Sequence, residues 1–325
     1  MLKLLRPLRT ALLAILAALA LSALAQSYPN RPIKWVVAYP PGGGTDFLAR
    51  TLGAQMAKQM GQAVVIDNRP GGAGMIGAEM VARSPADGYT VFTGDNGTLV
   101  YNPALFKKVP YAPQTDFAAV GMMARFPLVL LANNDAPFAN ARALIELIKN
   151  KPGQLSYASP GMGSPHHLAM ELLKQRANLF ILHVPYRGSG GAIQDLMGGQ
   201  IQLFVADSAA ALPLIRPGKV KALAVFSKSR MAALPDVPTL AELGYADVEA
   251  YGWQGMVVPA NTPKDIVQRL NQELGQAIQN PEVIRKFADF GLDLIPGTSD
   301  AMSRYLAEET RVWHQLIRER QIMLD

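Results

Sequence analysis

The chain of 325 residues is long enough for one large domain or two lobes, and its composition excludes several classes of protein. Half of the residues are hydrophobic and 17% are charged, which excludes a disordered chain, and the absence of cysteine excludes disulfides, Cys-ligated zinc, iron–sulfur clusters and thiol catalysis. The net charge of +6 comes without a run of basic residues, so the sequence gives no support to nucleic-acid binding.

Residues 1–25 have the pattern of a cleavable signal peptide. Three basic residues, Lys3, Arg6 and Arg9, precede an apolar run that ends in the cleavage pattern Ala23-Leu24-Ala25. This run is shorter than the roughly 20 residues that a membrane-spanning helix needs. We therefore expect the protein to be exported, with 28 Lys plus Arg against 25 Asp plus Glu and a net charge of +3 after cleavage.

From residue 33 onward, short β-type runs alternate with amphipathic stretches, which is typical of an α/β fold with a largely parallel sheet. The first part of the chain contains three predicted strands, at Ile33–Tyr39, Ala63–Ile66 and Thr90–Thr93. Two predicted helices separate them, one with an apolar stripe at Leu48, Leu52, Met56 and Met60, and one over Met75–Arg83.

A second cycle of the same pattern begins near Leu128–Ala132. Its predicted strands are Leu155–Ala158, Phe180–Val184, Ile201–Val205 and Val220–Phe226, and its predicted helices are centred on Leu144–Ile148, Leu168–Leu173 and Ala192–Met197. The last hundred residues are different, because their two strongest periodic segments, Pro263–Gln279 and Ala301–Arg320, are helical. Thr262 is predicted to be the N-cap of the first of these helices, with Pro263 at its first position.

Two α/β cycles of about 100 residues, followed by a helical return, predict two lobes with a cleft between them. The expected first lobe comprises residues 26–125 plus 230–325, and the second comprises residues 126–229. No linker rich in glycine, serine or proline separates them, so we expect short crossing strands as the connections. Small ligands usually bind in clefts of this kind.

Three turns rich in glycine and serine each lie between a predicted strand and a predicted helix, at Pro40–Asp46, Ser159–His167 and Tyr186–Ala192. The first N–H groups of a helix have no partner inside it, and the helix dipole favours an anion there. Glycine also lets a ligand approach the backbone closely. Together the turns favour an anion-binding site, although ordinary turns between strands and helices use the same residue types.

The second turn contains a complete helix-start pattern. Ser164 is a natural N-cap, Pro165 takes the first helical position, and His166 and His167 follow at positions whose backbone N–H groups lack a helical partner. We expect one carboxylate of a ligand to dock at this helix start while the turn at Pro40–Asp46 closes over the other end. A dicarboxylate is favoured on this basis, because each lobe would hold one end.

Three charged residues near the turns have more than one interpretation. Arg69 and Arg187 are candidate ligand-binding cations, because a guanidinium pairs bidentately with a carboxylate, but salt bridges account for such residues as well. Arg187 is favoured over Arg69 because it lies inside a glycine-rich turn. Asp46 is first of all a cap, since a carboxylate at a helix start accepts backbone hydrogen bonds.

The segment Gly72–Gly77 matches the dinucleotide-binding pattern G-x-G-x-x-G, and Asp95 follows 18 residues later. It comes after the second predicted strand rather than the first, and an exported protein rarely meets free NAD. The alternative is a glycine-rich loop that packs a short helix onto the sheet. This motif is the basis of one competing hypothesis, an exported nucleotide-dependent enzyme.

The other common motifs of catalysis are missing from the sequence. It contains no Walker A motif, no G-x-S-x-G and no H-E-x-x-H, and the adjacent pair His166 and His167 lacks the spacing that puts two metal ligands on one helical face. We therefore expect neither an enzyme nor a metal or cofactor site.

An ordered set of motifs along the whole chain after the predicted signal peptide resembles the Bug-type solute-binding proteins of tripartite tricarboxylate transporters. The motifs are Tyr28-Pro29-Asn30-Arg31-Pro32-Ile33, Tyr39-Pro40-Pro41-Gly42-Gly43-Gly44-Thr45-Asp46, Asn68-Arg69-Pro70-Gly71-Gly72-Ala73-Gly74, Ala86-Asp87-Gly88-Tyr89-Thr90, Gly163-Ser164-Pro165-His166-His167-Leu168, Val184-Pro185-Tyr186-Arg187-Gly188-Ser189-Gly190, Leu234-Pro235-Asp236-Val237-Pro238-Thr239 and Ala250-Tyr251-Gly252-Trp253. Each motif alone is weak, whereas the ordered set is specific.

The resemblance implies a type II two-lobed periplasmic-binding-protein fold that closes over an organic acid in the periplasm. It implies that the loaded protein meets the membrane permease subunits of such a transporter. The ligand-binding residues expected from the turns and the resemblance are Tyr39, Pro40, Gly43, Gly44, Thr45, Asp46, Arg69, Ser159, Gly163, Ser164, His167, Tyr186, Arg187, Gly188 and Asp207. His166 stands where many relatives carry a small polar residue, and the identity of the acid does not carry over.

Two further functions remain open beside transport. The same closed complex would suit presentation to a membrane sensor kinase, which gene neighbourhood or a pull-down would separate from transport. The nucleotide-dependent enzyme would be recognised by nicotinamide or nucleotide binding to the purified protein.

Overall fold

The structure is a computed structural model that describes residues 28–288 and 291–324, so the predicted signal peptide at residues 1–25 lies outside the described residues. Within the described ranges, the helices lack an apolar stretch of the length needed to cross a bilayer. The fold class predicted from the alternating pattern, α/β, is confirmed, since strands and helices alternate from residue 33 onward.

Ten strands form the sheet in the described chain. They are β1 (Ile33–Val37), β2 (Val64–Asn68), β3 (Thr90–Asp95), β4 (Phe117–Ala132), β5 (Ser156–Ser159), β6 (Leu182–Pro185), β7 (Leu203–Asp207), β8 (Lys221–Val225), β9 (Tyr251–Pro259) and β10 (Asp293–Leu294). Their order is β2-β1-β3-β9-β4-β7-β5-β6, and both β8 and β10 pair with β4.

Helices cover most of the connections between these strands. The α-helices are α1 (Gly44–Met60), α2 (Met75–Ala82), α3 (Asn102–Leu105), α4 (Pro113–Asp116), α5 (Ala141–Asn150), α6 (Pro165–Ala177), α7 (Ser189–Met197), α8 (Ser208–Ile215), α9 (Lys264–Ile278), α10 (Pro281–Ala288) and α11 (Ser299–Glu319). A 3₁₀ turn (Gly72–Gly74) precedes α2, and a π-helix (Asn96–Tyr101) follows β3 directly.

The long strand β4 joins two halves of the sheet. Residues 117–127 of β4 pair with β9, whereas residues 128–132 pair with β7 and β8. We call β2, β1, β3, β9, β10 and the first part of β4 the first half, and β7, β5, β6, β8 and the last part of β4 the second half. Each half contains parallel pairs, β1 with β2 and β3, and β5 with β6 and β7, which helices connect.

The strand β9 and the first part of β4 were not predicted from the sequence. All nine residues of β9 are buried, and the strand contains two glycines, so it shows no alternation between polar and apolar residues. It passes through the middle of the sheet between β3 and β4, both of which run antiparallel to it. A strand that is buried on both faces has no polar–apolar alternation, so its sequence pattern does not identify it as a strand.

The start of α9 differs from the prediction by one position. The Thr262 hydroxyl donates to the Pro259 carbonyl at 2.7 Å, and the N-cap of the helix is Pro263, with φ −52°, ψ 140° and no side-chain cap. The buried Thr262 side chain is thus bonded to the end of β9 rather than to the first turn of α9.

The predicted lobe boundaries fall at two places where the chain passes between the halves of the sheet. Residues 125 and 126 lie inside β4, and residues 229 and 230 lie in the segment between β8 and β9. Helix α11 packs against β4 and the π-helix, and its C-terminal end also contacts α6.

Candidate functional site

A cavity of about 750 Å³ is lined by residues from both halves of the sheet. The first half contributes the turn before α1, the start of the π-helix and the beginning of β9. The second half contributes the turn before α6 and the start of α8. Four helix starts therefore border one cavity, together with apolar side chains such as Phe47, Phe126 and Leu292.

Helix α1 begins at the cavity with no side-chain cap. Its N-cap is Gly43, and the backbone there makes no hydrogen bond to a capping side chain. Apart from the adjoining backbone, no heavy atom of the described residues lies within 4 Å of the position that a Cβ atom on Gly42 or Gly44 would occupy. The φ of +87° at Gly42 favours glycine, and the missing side chains leave the first amide groups of α1 open to the cavity.

Asp46 does not cap α1, contrary to expectation, because it is the third residue of the helix and its buried carboxylate is held by other donors. Oδ2 accepts hydrogen bonds from the Gly42 amide and from Arg50 Nε, both at 2.9 Å, and Oδ1 accepts one from Asn68 Nδ2 at 2.9 Å. Burial raises the pKa of Asp46, but these hydrogen bonds lower it by more. Asp46 thus fixes the turn from behind the cavity.

The start of α6 is capped as the sequence predicts. Ser164 Oγ accepts the His167 amide at 3.3 Å and donates to the Gly161 carbonyl at 2.7 Å, and Pro165 brings no N–H group. The Ser164 hydroxyl and the His167 amide, which were predicted to bind the ligand, are therefore already engaged in hydrogen bonds within the chain. Of the first three positions of α6, only His166 keeps a backbone amide that the cap does not use.

Two aspartates cap the other two helices that begin at the cavity, Asp95 the π-helix and Asp207 the helix α8. Asp207 Oδ1 accepts the Ala210 amide at 2.9 Å, and Asp95 Oδ1 accepts the Thr98 amide at 2.8 Å. Asp95 also accepts a short hydrogen bond from the Tyr39 hydroxyl. Burial raises the pKa of Asp207, but His166 and the Ala210 amide lower it by more, so this carboxylate stays ionised at neutral pH.

Two cavity-lining side chains have polar atoms without a hydrogen-bond partner. Gln254 on β9 is only 6% exposed, and its Nε2 donates to Thr45 Oγ1 while Oε1 has no partner. Both ring nitrogens of His166 also lack a hydrogen bond, although Nε2 lies 3.6 Å from Asp207 Oδ2. Buried polar atoms of this kind normally have partners, so they mark places where a ligand or water would bind.

A stacked pair of histidines supports the turn before α6 from behind. The rings of His167 and His183 lie 4.0 Å apart, His167 Nδ1 accepts the Gly163 amide at 3.1 Å, and His183 Nε2 lies 2.7 Å from Ser159 Oγ. Burial lowers the pKa of His167 to about 4 and that of His183 to about 3. Both rings are therefore neutral at pH 7.

Acidification is expected to destabilise the protein through this pair. Both histidines have folded-state pKa values below their unfolded value of about 6.5, so their stabilising contribution is complete above that pH and is lost as the pH falls toward 3. His183→Phe keeps a stacked ring but removes one titrating group. Between pH 6 and 4.5, the free energy of unfolding of this variant should fall less steeply, by about 1.4 kcal/mol per pH unit for one proton. Urea unfolding at several pH values measures this, and parallel curves for the two proteins would contradict it.

The cavity brings together about half of the residues that the sequence analysis selected. Those that line it are Tyr39, Gly43, Gly44, Thr45, Gly163, Ser164 and Asp207. Those that do not line it are Pro40, Asp46, Arg69, Ser159, His167, Tyr186, Arg187 and Gly188.

The two candidate arginines lie on the surface. Arg69 is exposed, and its Nε lies 2.9 Å from Asp67 Oδ1. Arg187 is exposed in the turn before α7, and Tyr186 beside it donates its hydroxyl to Asp195 Oδ2 at 2.6 Å. This third glycine-rich turn is thus separate from the cavity, which the first and second turns border.

The glycines of the Gly72–Gly77 motif have a packing role. A Cβ atom on Gly74 would lie 2.6 Å from Thr98 Cγ2, and one on Gly77 would lie 3.2 Å from the Ala38 backbone. The loop therefore needs glycine to bring α2 close to the end of β1. This contact supports the alternative interpretation of the motif, in which it packs a short helix onto the sheet.

The sequence analysis missed several cavity residues on β9 and β4, including Gln254, Trp253 and Phe126. It considered Asp95 only as part of a nucleotide motif. Gln254 and Trp253 belong to the strand that the hydrophobic pattern did not reveal, so only the pairing of β9 with β3 and β4 places them at the site.

Known proteins are similar to this chain along almost its whole length. The profile of the TctC family, described as the tripartite tricarboxylate transporter family receptor, matches residues 48–322. The protein BugT of Bordetella pertussis is 37% identical over 296 residues, which cover 91% of this chain and 91% of BugT.

Three solved structures share the fold. Rpa4515 of R. palustris, solved with adipate, is 33% identical with a TM-score of 0.81, and the alignment covers 92% of this chain and 100% of the other. The periplasmic binding protein BugD is 32% identical with a TM-score of 0.77, covering 91% and 100%. MatC from Rhodopseudomonas palustris, solved with bound malate, is 31% identical with a TM-score of 0.76, covering 89% and 100%. These similarities confirm the expected two-lobed periplasmic-binding-protein fold.

Proposed function

Because the chain belongs to the TctC family of tripartite tricarboxylate transporter receptors, we propose that it binds a small organic acid in the cavity and delivers it to the membrane permease subunits of such a transporter. The family is one of periplasmic solute-binding receptors and not of enzymes. Two similar structures hold a carboxylic acid, adipate in one and malate in the other. A small carboxylate is therefore the ligand class that we assign to this chain.

The observation that carries the proposal is the open start of α1 at the cavity. Uncapped amide groups and the positive end of the helix dipole bind a carboxylate without needing a side-chain cation. Of the residues selected from the sequence, we propose Tyr39, Gly43, Gly44, Thr45, Gly163, Ser164 and Asp207 as ligand contacts, because these border the cavity.

We also propose that residues 26–125 plus 230–325 and residues 126–229 move as two lobes that close over the ligand. A ligand shifts such an equilibrium only by its preference for the closed form. The cavity residues of both lobes would contact the same acid in that form. Export would follow cleavage after Ala25, and the mass of the mature protein, beginning at Gln26, tests this.

Organic acids are expected to raise the melting temperature of the purified protein, whereas amines and neutral sugars are not. A ligand that binds only the native state, present at 100 times its Kd, adds about 2.7 kcal/mol to the free energy of unfolding. A thermal-shift screen with adipate, malate and a wider panel of mono-, di- and tricarboxylates measures this, followed by titration calorimetry of the acids that respond. A shift with amines or sugars alone would contradict the proposal.

A further inference from the structure

We infer that the cavity prefers an acid with a single carboxylate and an apolar body over a dicarboxylate of the same length, with the carboxylate bound at the start of α1. This inference rests on the proposed function, since it specifies which organic acids the same cavity takes. It departs from the sequence analysis, which favours a dicarboxylate because each lobe offers a turn. The reason lies in the charges that line the cavity.

The start of α1 is the place where a carboxylate fits. Helix α1 has 17 residues, its N-cap is a glycine without a side-chain cap, and Gly42, Gly43 and Gly44 all border the cavity. The Gln254 side chain is buried next to the start of α1. Its Nε2 donates to Thr45 Oγ1 in the first turn of α1, and its Oε1 has no hydrogen-bond partner. The Thr45 hydroxyl can donate as well as accept, so the Gln254 amide can turn its NH₂ group toward a carboxylate.

The other three helix starts at the cavity have fewer donors for a second carboxylate, because those that remain at α6 belong to His166, whose Nε2 lies 3.6 Å from Asp207 Oδ2. The chain's own side chains cap all of them, Ser164 at α6, Asp95 at the π-helix and Asp207 at α8. Two of these caps are acidic. A second carboxylate at those ends would meet a like charge at the positions where the helix dipole would otherwise attract it.

No lysine or arginine lines the cavity in the described part of the chain. The arginine nearest to the start of α1 in sequence, Arg50, is already paired with Asp46 behind the turn. Moving a second carboxylate from water into the cavity would therefore cost desolvation energy that no cation offsets. Among the described residues that line the cavity, the one histidine is His166, and its Nε2 lies 3.6 Å from Asp207 Oδ2.

The wall between the helix starts is apolar. It includes Phe47, Phe126, Met162, Leu105, Leu292 and Leu324. Phe47 and Met162 are 37% and 50% exposed, so a ligand with an apolar body would cover hydrophobic surface that water now contacts. The volume of about 750 Å³ has room for an aromatic ring or a chain of several methylene groups.

Matched acids test the inference by titration calorimetry at pH 7.5. Hexanoate and 6-hydroxyhexanoate are compared with adipate, and benzoate and 4-hydroxybenzoate are compared with terephthalate. The tightest acid of the wider panel is compared with its analogue that has one carboxylate more or fewer. We expect at least tenfold tighter binding of the monocarboxylate in each pair that binds. Equal or tighter binding of the dicarboxylates would overturn the inference while leaving the proposed function intact, whereas no binding by any acid would contradict both.

The variant Gly44→Ala tests whether the carboxylate binds at the start of α1. Gly44→Ala places a methyl group in the open space at the start of α1, and its backbone φ is not positive, so the fold tolerates it. We expect at least a tenfold loss of affinity for every acid, with no loss in the matched control Gly275→Ala, which adds a methyl group in open space on α9. Unchanged affinity in Gly44→Ala would place the carboxylate elsewhere.

Asp207→Asn keeps the shape of the cap, since asparagine caps helices as well as aspartate does, but removes one negative charge from the cavity. We expect the ratio of hexanoate to adipate affinity to fall at least threefold in this variant. An unchanged ratio would mean that the charge of Asp207 does not set the preference, and would overturn this step of the argument.

Discussion

Replacing Glu171 by alanine is expected to lower the free energy of unfolding by about 3–5 kcal/mol, because it leaves buried positive charge without a partner. Glu171 lies on α6 with its carboxylate almost fully buried. It forms an ion pair with Lys174, which is 8% exposed, and it accepts hydrogen bonds from Arg320 Nε at 2.9 Å and the Tyr157 hydroxyl at 3.0 Å. Burial raises the pKa of Glu171, but Lys174 and Arg320 lower it by more.

Urea unfolding of three variants checks this prediction. Glu171→Met combined with Lys174→Met removes both charges of the buried pair, and it should regain most of the stability that Glu171→Ala loses, since Arg320 is 33% exposed and can reach water. Glu308→Ala breaks an exposed pair with Arg311 and should leave the unfolding midpoint unchanged. A loss in Glu171→Ala no larger than that in Glu308→Ala would contradict the account.

This cluster also ties the C-terminal end of the chain to the second half of the sheet. Arg320 follows the last residue of α11, a helix that packs mainly on the first half, whereas Glu171 belongs to α6. Gln175 on α6 also donates to Glu319. The stability lost with Glu171 therefore includes contacts between both halves of the molecule.

Glu309→Gln is expected to stabilise the protein by about 3 kcal/mol above pH 7 and to have little effect near pH 4.5. Burial raises the pKa of Glu309 to about 7, although its Oε2 accepts hydrogen bonds from the indoles of Trp253 at 2.7 Å and Trp313 at 3.1 Å. The neighbouring carboxylates Glu249 and Glu308 raise it further. Glutamine keeps an oxygen that accepts both indole hydrogens but carries no charge.

The sign follows from the order of the two pKa values. Glu309 titrates at about 7 in the folded state and near 4.5 in the unfolded state, so the folded state binds more protons between these values. Its contribution to stability is therefore complete below pH 4.5 and is lost as the pH rises through 7. This is the opposite of the trend for His167 and His183, and the difference between variant and parent isolates Glu309.

Urea unfolding of the parent and Glu309→Gln from pH 4.5 to 8.5 gives that difference directly. We expect it to grow by up to about 1.4 kcal/mol per pH unit and to level off above pH 7. Glu308→Gln, one residue earlier and exposed, should shift the parent curve far less, because the Glu308 charge is the smallest of the causes that act on the pKa of Glu309. A difference that does not change with pH would show that Glu309 is ionised to the same extent in both states.

Local patterns in the sequence determined most elements of the fold. Apolar periodicity located α1, α9 and α11, and short β-type runs located β1, β5 and β8 within one to two residues. The start of α6 at Pro165 with Ser164 as its cap also follows from the sequence, because capping depends on residues that are neighbours in the chain. The ordered motifs indicated the family, which the comparisons confirm.

Tertiary structure decided which helix starts remain available to a ligand. Glycine-rich turns at three helices look alike in sequence, but α7 begins away from the cavity, and the cap of α6 uses its own donors. The open start of α1 depends on Asp46 bonding behind the turn to Asn68, 22 residues away, and on Gln254 reaching Thr45 from a strand 209 residues away.

The negative charge of the cavity could not be predicted from the sequence either, because it depends on residues that are far apart in the chain. Asp95 and Asp207 end two strands in opposite halves of the sheet, and only the folding of the chain around β4 and β9 places both carboxylates in one cavity. A buried central strand such as β9 has no periodic pattern to reveal it, because both of its faces are covered. The sequence by itself thus determined the family and the capped start of α6, whereas long-range strand pairing decided which polar groups meet at the site.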